Sequence, residues 1–162
     1  MSSLPDWLPE PLSYADFNGD WDKFIEAVYQ VFKRDFIESR PKCEGIRVVH
    51  NGTIEDSKEK AFWHVTSVDT TEGRVPDLRR SERIAWLRPI IENANDTIVK
   101  KWYEKRGGEN RLHLWLEECD FLVVLVSKPR IRILVTSFYI DRDHTRRKLK
   151  KKWEQHKAKA AP

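Results

Sequence analysis

Three apolar segments in the C-terminal half constrain the fold more than any other feature. Residues 111–117 alternate, with Leu112, Leu114 and Leu116 facing one way. Residues 121–126 are a nearly continuous apolar run, the pattern of a central strand. Residues 131–140 form the longest β-rich stretch. The links between them are short, and Lys128-Pro129 marks one turn. Parallel neighbours would need long crossovers, so these segments predict an antiparallel meander of three or four strands. Residues 98–104 read as a further strand, with Gly107-Gly108 as the turn after it.

A sheet with apolar side chains needs a cover. Trp21, Phe24, Ile25, Val28, Phe32, Phe36 and Ile37 recur at three- and four-residue spacing, so residues 20–38 predict an amphipathic helix. Asp20 is placed to cap it and Pro41 to end it. A second helix is expected after Ser81, its inner face Ile84, Leu87, Ile90 and Ile91, kinked or split by Pro89. Between the two helices, residues 46–54 read as a hairpin turning at Asn51-Gly52. Residues 61–68 read as a strand and 69–80 as a polar loop. The resulting class is α+β: an antiparallel meander with N-terminal helices on one face and a basic C-terminal helix or tail. The 162 residues suit a single domain. Residues 1–19 would form an extended arm, 20–150 the core and 151–162 a basic tail.

The net charge of +4 hides an asymmetry. Residues 1–40 hold eight acidic and four basic side chains, leaving 26 basic and 18 acidic in the rest. A basic field of this kind steers phosphate-bearing partners. It peaks between Arg142 and Lys159, where Arg142, Arg146, Arg147, Lys148, Lys150, Lys151 and Lys152 surround Trp153 against only Asp143 and Glu154. A solubilising tail would carry the same charges. The interleaved aromatic favours a surface that tracks a nucleic-acid backbone.

Arg79, Arg80 and Arg83, with Glu82 among them, form a second cluster at an expected helix mouth, where free N–H groups and forked guanidinium donors match phosphate. A surface ion-pair patch, with Glu82 satisfying Arg79 or Arg83, is the plainer alternative. Of the five histidines, His64 lies within the apolar 61–68 segment and His144 follows the longest strand beside Tyr139, Arg142 and Arg146; His50 and His156 read as exposed. Histidine is the natural acid or base near neutral pH. No histidine pair has metal-ligand spacing, and Cys43 and Cys119 form no CxxC, so neither a metal nor a cofactor is expected. Strand alternation places Thr136 with Leu134 and Phe138 on one face, and Ser137 with Tyr139 on the other. There is no membrane-length apolar run and no secretory leader pattern, so the expected location is cytoplasmic.

Several stretches, taken in order, resemble a known family. They are Phe62-Trp63-His64-Val65; Pro76 through Trp86, which includes Leu78-Arg79-Arg80-Ser81-Glu82-Arg83-Ile84; Leu114-Trp115-Leu116-Glu117-Glu118; Phe121-Leu122-Val123-Val124-Leu125; Leu134-Val135-Thr136-Ser137-Phe138-Tyr139; and His144. This order is similar to a phage- and plasmid-associated family of barnase–EndoU–colicin–RelE-like nucleases, and covers residues 20–152. The resemblance implies helices on one sheet face and metal-independent RNA cleavage on the other. The positions that fit are His64, Arg79, Arg80, Arg83, Thr136, Tyr139 and His144, and the base is Glu82 or a histidine. It also implies RNA as substrate and, for a toxin-type enzyme, an antitoxin or inhibitor protein as partner. A non-catalytic RNA-binding or ribosome-associated module would use the same basic surface, and an adaptor docking through its acidic arm would not need it.

Overall fold

The computed structural model describes residues 4–159, so residues 1–3 of the expected arm and 160–162 of the expected tail lie outside it. The first helix, α1 (Trp21–Phe32), starts where Asp20 accepts a hydrogen bond from the Lys23 N–H at 3.1 Å. Phe24, Val28 and Phe32 form its buried stripe. A π-type turn, Lys33–Ile37, follows. Its wider spacing keeps Phe36 buried and leaves Ile37 exposed, contrary to the apolar stripe expected from sequence.

Next come β1 (Lys42–Cys43) and β2 (Ile46–Val49), joined through Glu44 and Gly45, both at positive φ. A detached hairpin of β3 (Ile54–Glu55) and β4 (Lys58–Glu59) turns at Asp56 and Ser57, with φ of 49° and 66°. The expected hairpin at Asn51-Gly52 does not form. Asn51 Oδ1 instead accepts the Thr53 N–H at 3.0 Å, a local Asx turn.

Residues 61–68 are not one strand. They divide between a helix, α2 (Lys60–Thr66), and β5 (Ser67–Thr70). Ala61, Phe62, Val65 and Thr66 are its buried residues, a helical pattern. β5 pairs with β6 (Gly73–Pro76), a hairpin where a polar loop was expected. Then follows α3 (Leu78–Glu82), capped by Asp77, whose Oδ1 accepts the Arg80 N–H at 3.1 Å. Ser81 is therefore no cap. It lies inside α3, fully buried, donating to the Asp77 carbonyl at 2.8 Å. A 3-10 turn, Ile84–Trp86, precedes α4 (Leu87–Glu92). Pro89 falls in the first turn of α4, where its missing N–H costs nothing.

The sheet is completed by β7 (Lys100–Arg106), β8 (Glu109–Leu116), β9 (Phe121–Ser127) and β10 (Arg132–Tyr139), and the chain continues into α5 (Asp143–His156). The four strands form the antiparallel meander read from the sequence, with Gly107 and Gly108 at the β7–β8 turn. The whole sheet is mixed rather than purely antiparallel. Its order is β1-β2-β10-β9-β8-β7, and β2 runs parallel to β10.

The sheet divides the core in two. On one face Leu112, Leu114, Leu116, Phe121, Val123, Leu125 and Leu134 pack with residues of α1, α2 and α4. On the other, Trp102, Trp115, Leu122, Val124 and Ile140 are buried, with Val135, Phe138, Leu149 and Trp153 packed on them. Leu149 and Trp153 belong to α5, so this helix covers much of the second face. Trp153 is thus a half-buried packing residue, flanked by the Lys100 and Lys157 ammonium groups at 4.8 and 4.5 Å from its ring, rather than a free stacking platform. The N-terminal arm lies on the domain: Leu12 N–H donates to the Glu82 carbonyl at 2.8 Å, and the Trp86 indole to the Pro9 carbonyl at 2.8 Å. No described helix is long and apolar enough to cross a membrane.

Candidate functional site

The site begins with an edge left open. β2 pairs with β10 only at Arg132 and Ile133, so the rest of that edge has no strand partner. The C-terminal end of α2 fills the gap. Thr136 Oγ1 donates to the His64 carbonyl and Ser137 Oγ to the Val65 carbonyl, each at 2.9 Å. These two bonds satisfy carbonyls that a helix end leaves free and blunt an exposed sheet edge.

A register shift between Leu134 and Thr136 sets which side chains look outward. The extra residue, Val135, turns Thr136 and Phe138 toward the second face, opposite Val124 and Leu122, while Leu134 and Ser137 stay in the first core. The simple alternation that grouped Thr136 with Leu134 is corrected by this bulge.

An open cleft of about 240 Å³ results. Its walls are Trp63 and His64 from α2, Ser67, Val68 and Asp69 from β5, Arg80 from α3, and Val135, Thr136 and Phe138 from β10. His64 stands in the last turn of α2, half-buried, rather than in a strand. Arg80 is only 8% exposed; it donates to the Ser67 carbonyl at 2.8 Å and lies 4.5 Å over the Phe138 ring. Burial pulls its pKa below the ordinary arginine value, opposed by the carboxylates of Asp77 and Asp69. The exposed Asp69 is therefore close enough to act on this guanidinium. Trp63 is held by a hydrogen bond to the Glu55 carbonyl at 2.7 Å and carries the Arg74 guanidinium 4.4 Å from its ring.

The cleft unites His64, Arg80 and Thr136, but not every residue singled out by sequence. Arg79 and Arg83 lie 4.8 and 4.6 Å over the ring of Tyr139, which packs on the first core, so these three form a separate cluster. Glu82 is occupied: its Oε2 accepts the Tyr14 N–H at 3.0 Å, so it fastens the arm. The mouth of α3 is filled by Asp77 and is not an open phosphate seat. His144 is exposed in the first turn of α5 and does not line the cleft. Arg142 is exposed, and Arg146 is paired with Asp120 at 2.8 Å and with Asp143. Arg147, Lys148, Lys150 and Lys151 are exposed and make no ion pair among the described residues, whereas Lys152 meets Glu104 at 3.2 Å. His50 and His156 are half-buried rather than exposed. His50 packs edge-on against Phe32 at 5.5 Å, and burial lowers its pKa, with Arg40 adding to the effect.

Sequence reasoning missed Asp69, because a polar loop was expected where β5 and β6 pair. It also missed His113, Arg111 and Glu104. The available signal was the other half of the β8 alternation: if Leu112 and Leu114 face the core, Arg111 and His113 share the opposite face. Among the described residues, no group of three or more His, Cys, Asp or Glu side chains gathers as metal ligands. Comparisons with protein-family models, with curated proteins and with solved structures find no match to this chain.

Proposed function

We propose that this chain is a metal-independent endoribonuclease, possessing a single reaction centre in the His64 cleft. One observation carries the reading: His64, Asp69 and Arg80, drawn from three elements, line one open cleft. Cleavage of RNA by its own 2′-OH needs a base, an acid and positive charge on the phosphate. In this reading the Asp69 carboxylate takes the 2′-OH proton as that oxygen attacks phosphorus. The bond from phosphorus to the 5′-oxygen breaks, and the His64 imidazolium protonates the departing oxygen. Arg80 faces the phosphate oxygens. Thr136 positions His64 by holding the end of α2. The products are a 2′,3′-cyclic phosphate and a 5′-hydroxyl. A protein inhibitor that covers this cleft would suit a toxin-type enzyme.

A second reading, an RNA-binding module without cleavage, is favoured by the exposed cations of α5 that make no ion pair among the described residues. Incubation with single-stranded RNA in EDTA separates the two. The nuclease reading expects fragments ending in a 2′,3′-cyclic phosphate, and no cut beside a 2′-deoxy sugar. Salt-sensitive binding without fragments would overturn it in favour of the module.

A further inference from the structure

A second cleft, of about 330 Å³, opens between the β7–β8 hairpin and α5. Its lining carries five cations, Lys105, Arg106, Arg111, Lys148 and Lys152, against one carboxylate, Glu104. That carboxylate is already engaged by Lys152 at 3.2 Å and the Trp102 indole at 3.1 Å. Lys105, Arg106 and Lys148 are exposed and have no ion-pair partner among the described residues. The Arg111 Nε is buried without a hydrogen-bond partner, while its Nη2 reaches Glu109 at 3.5 Å. The floor is His113, stacked on Trp102 at 4.8 Å and 7° between planes. A pocket so furnished wants anionic oxygens.

We infer that this cleft is a phosphate-binding track for a single-stranded RNA, separate from the reaction centre. Its placement argues for a polymer. Both clefts open on the sheet face that carries α5: Val135 and Phe138 at one side, His113 at the other. Three strand intervals, β10 to β9 to β8 to β7, separate them, about 15 Å at the usual strand spacing. The exposed cations Arg147, Lys150 and Lys151 stand on α5, the helix that supplies Lys148 and Lys152 to this cleft. A small anion would need only one or two of these groups, whereas a polymer of phosphates can engage several at once. The inference takes from the reading above only that the ligand is RNA; it does not need cleavage to occur.

The test uses His64→Ala as the binding-competent background and a labelled 12-nucleotide RNA followed by anisotropy. The triple variant Lys105→Ala/Arg106→Ala/Lys148→Ala, all at exposed positions, is made in that background and its fold checked by circular dichroism. The expected result is affinity weakened tenfold or more and a log–log salt slope reduced by about 2, since each lost contact to a single strand is worth roughly 0.7. Unchanged affinity and slope would overturn the track, as would failure of the parent to bind at low salt. Equal competition by poly-glutamate would overturn the RNA assignment in favour of an acidic protein segment. Displacement by micromolar pyrophosphate would overturn it in favour of a compact polyphosphate. Binding that obeys the expectation alongside absent cleavage by the wild-type chain would support the track while sinking the nuclease reading.

Discussion

His113 should make the fold acid-sensitive in a window set by its burial. Its imidazole is stacked on Trp102, with a side chain only 14% exposed, and its pKa is pushed down to about 4, chiefly by burial and against the attraction of Glu104. Arg111, Lys105, Arg106, Lys148 and Lys152 share its cleft; the charges of Lys152 and Arg111 add to the lowering, while a hydrogen bond with the Arg111 backbone opposes it. In the unfolded chain the same group titrates near its ordinary value of 6.5. Below that value the unfolded state binds a proton that the native state refuses. The contribution is therefore intact above about pH 6.5, declines as pH falls, and is exhausted near pH 4. Linkage gives a loss of about 2 kcal/mol between pH 8 and pH 5, and about 3 kcal/mol at the limit. The pKa of Glu104 is lowered, with burial opposing the Trp102 and Lys152 hydrogen bonds that win, so its own loss begins only below about pH 4.5. Urea unfolding followed by tryptophan fluorescence at pH 8, 6.5 and 5 measures the effect. His113→Gln cannot gain the proton, so its stability should fall by about 2 kcal/mol less than wild type across that range. Parallel curves for the two proteins would refute the reasoning.

Three further outcomes follow from the geometry. Arg80→Lys keeps the charge but loses the planar fork over Phe138, so RNA cleavage should drop by about tenfold or more with the fold retained by circular dichroism. Ser137→Ala removes a fully buried hydroxyl that satisfies the Val65 carbonyl, and should cost about 1–2 kcal/mol in urea unfolding. Glu82→Gln weakens the clamp on Tyr14, so the N-terminal arm should be cut faster by protease while RNA cleavage stays within about twofold, well short of the ~hundredfold loss of a true base.

The meander was legible because strand alternation and short links leave few topologies open. The Asp20 cap and the α1 stripe were legible for the same local reason. What escaped depended on partners distant in sequence. β2 joins β10 in parallel through two residue pairs, a contact that no local pattern announces. The 61–66 segment is rich in β-favouring aromatics, yet its buried residues repeat as a helix because α2 must fill the open edge of β10. The cleft itself was half visible. His64, Arg80 and Thr136 came from the motif order, but Asp69 needed the β5–β6 hairpin, and the role of Thr136 as a strap needed the bulge at Val135. Glu82 looked like a base because acidic residues amid arginines attract that reading; its partner, the Tyr14 N–H, lies 68 residues away.

The most direct test of the central claim compares His64→Ala with His144→Ala in one RNA-cleavage assay in EDTA. His64 lines the cleft with Asp69 and Arg80, and His144 stands exposed on α5 away from that lining. The account predicts a loss of ~hundredfold or more for His64→Ala and a nearly unchanged rate for His144→Ala. Full activity in His64→Ala, or loss confined to His144→Ala, would contradict it.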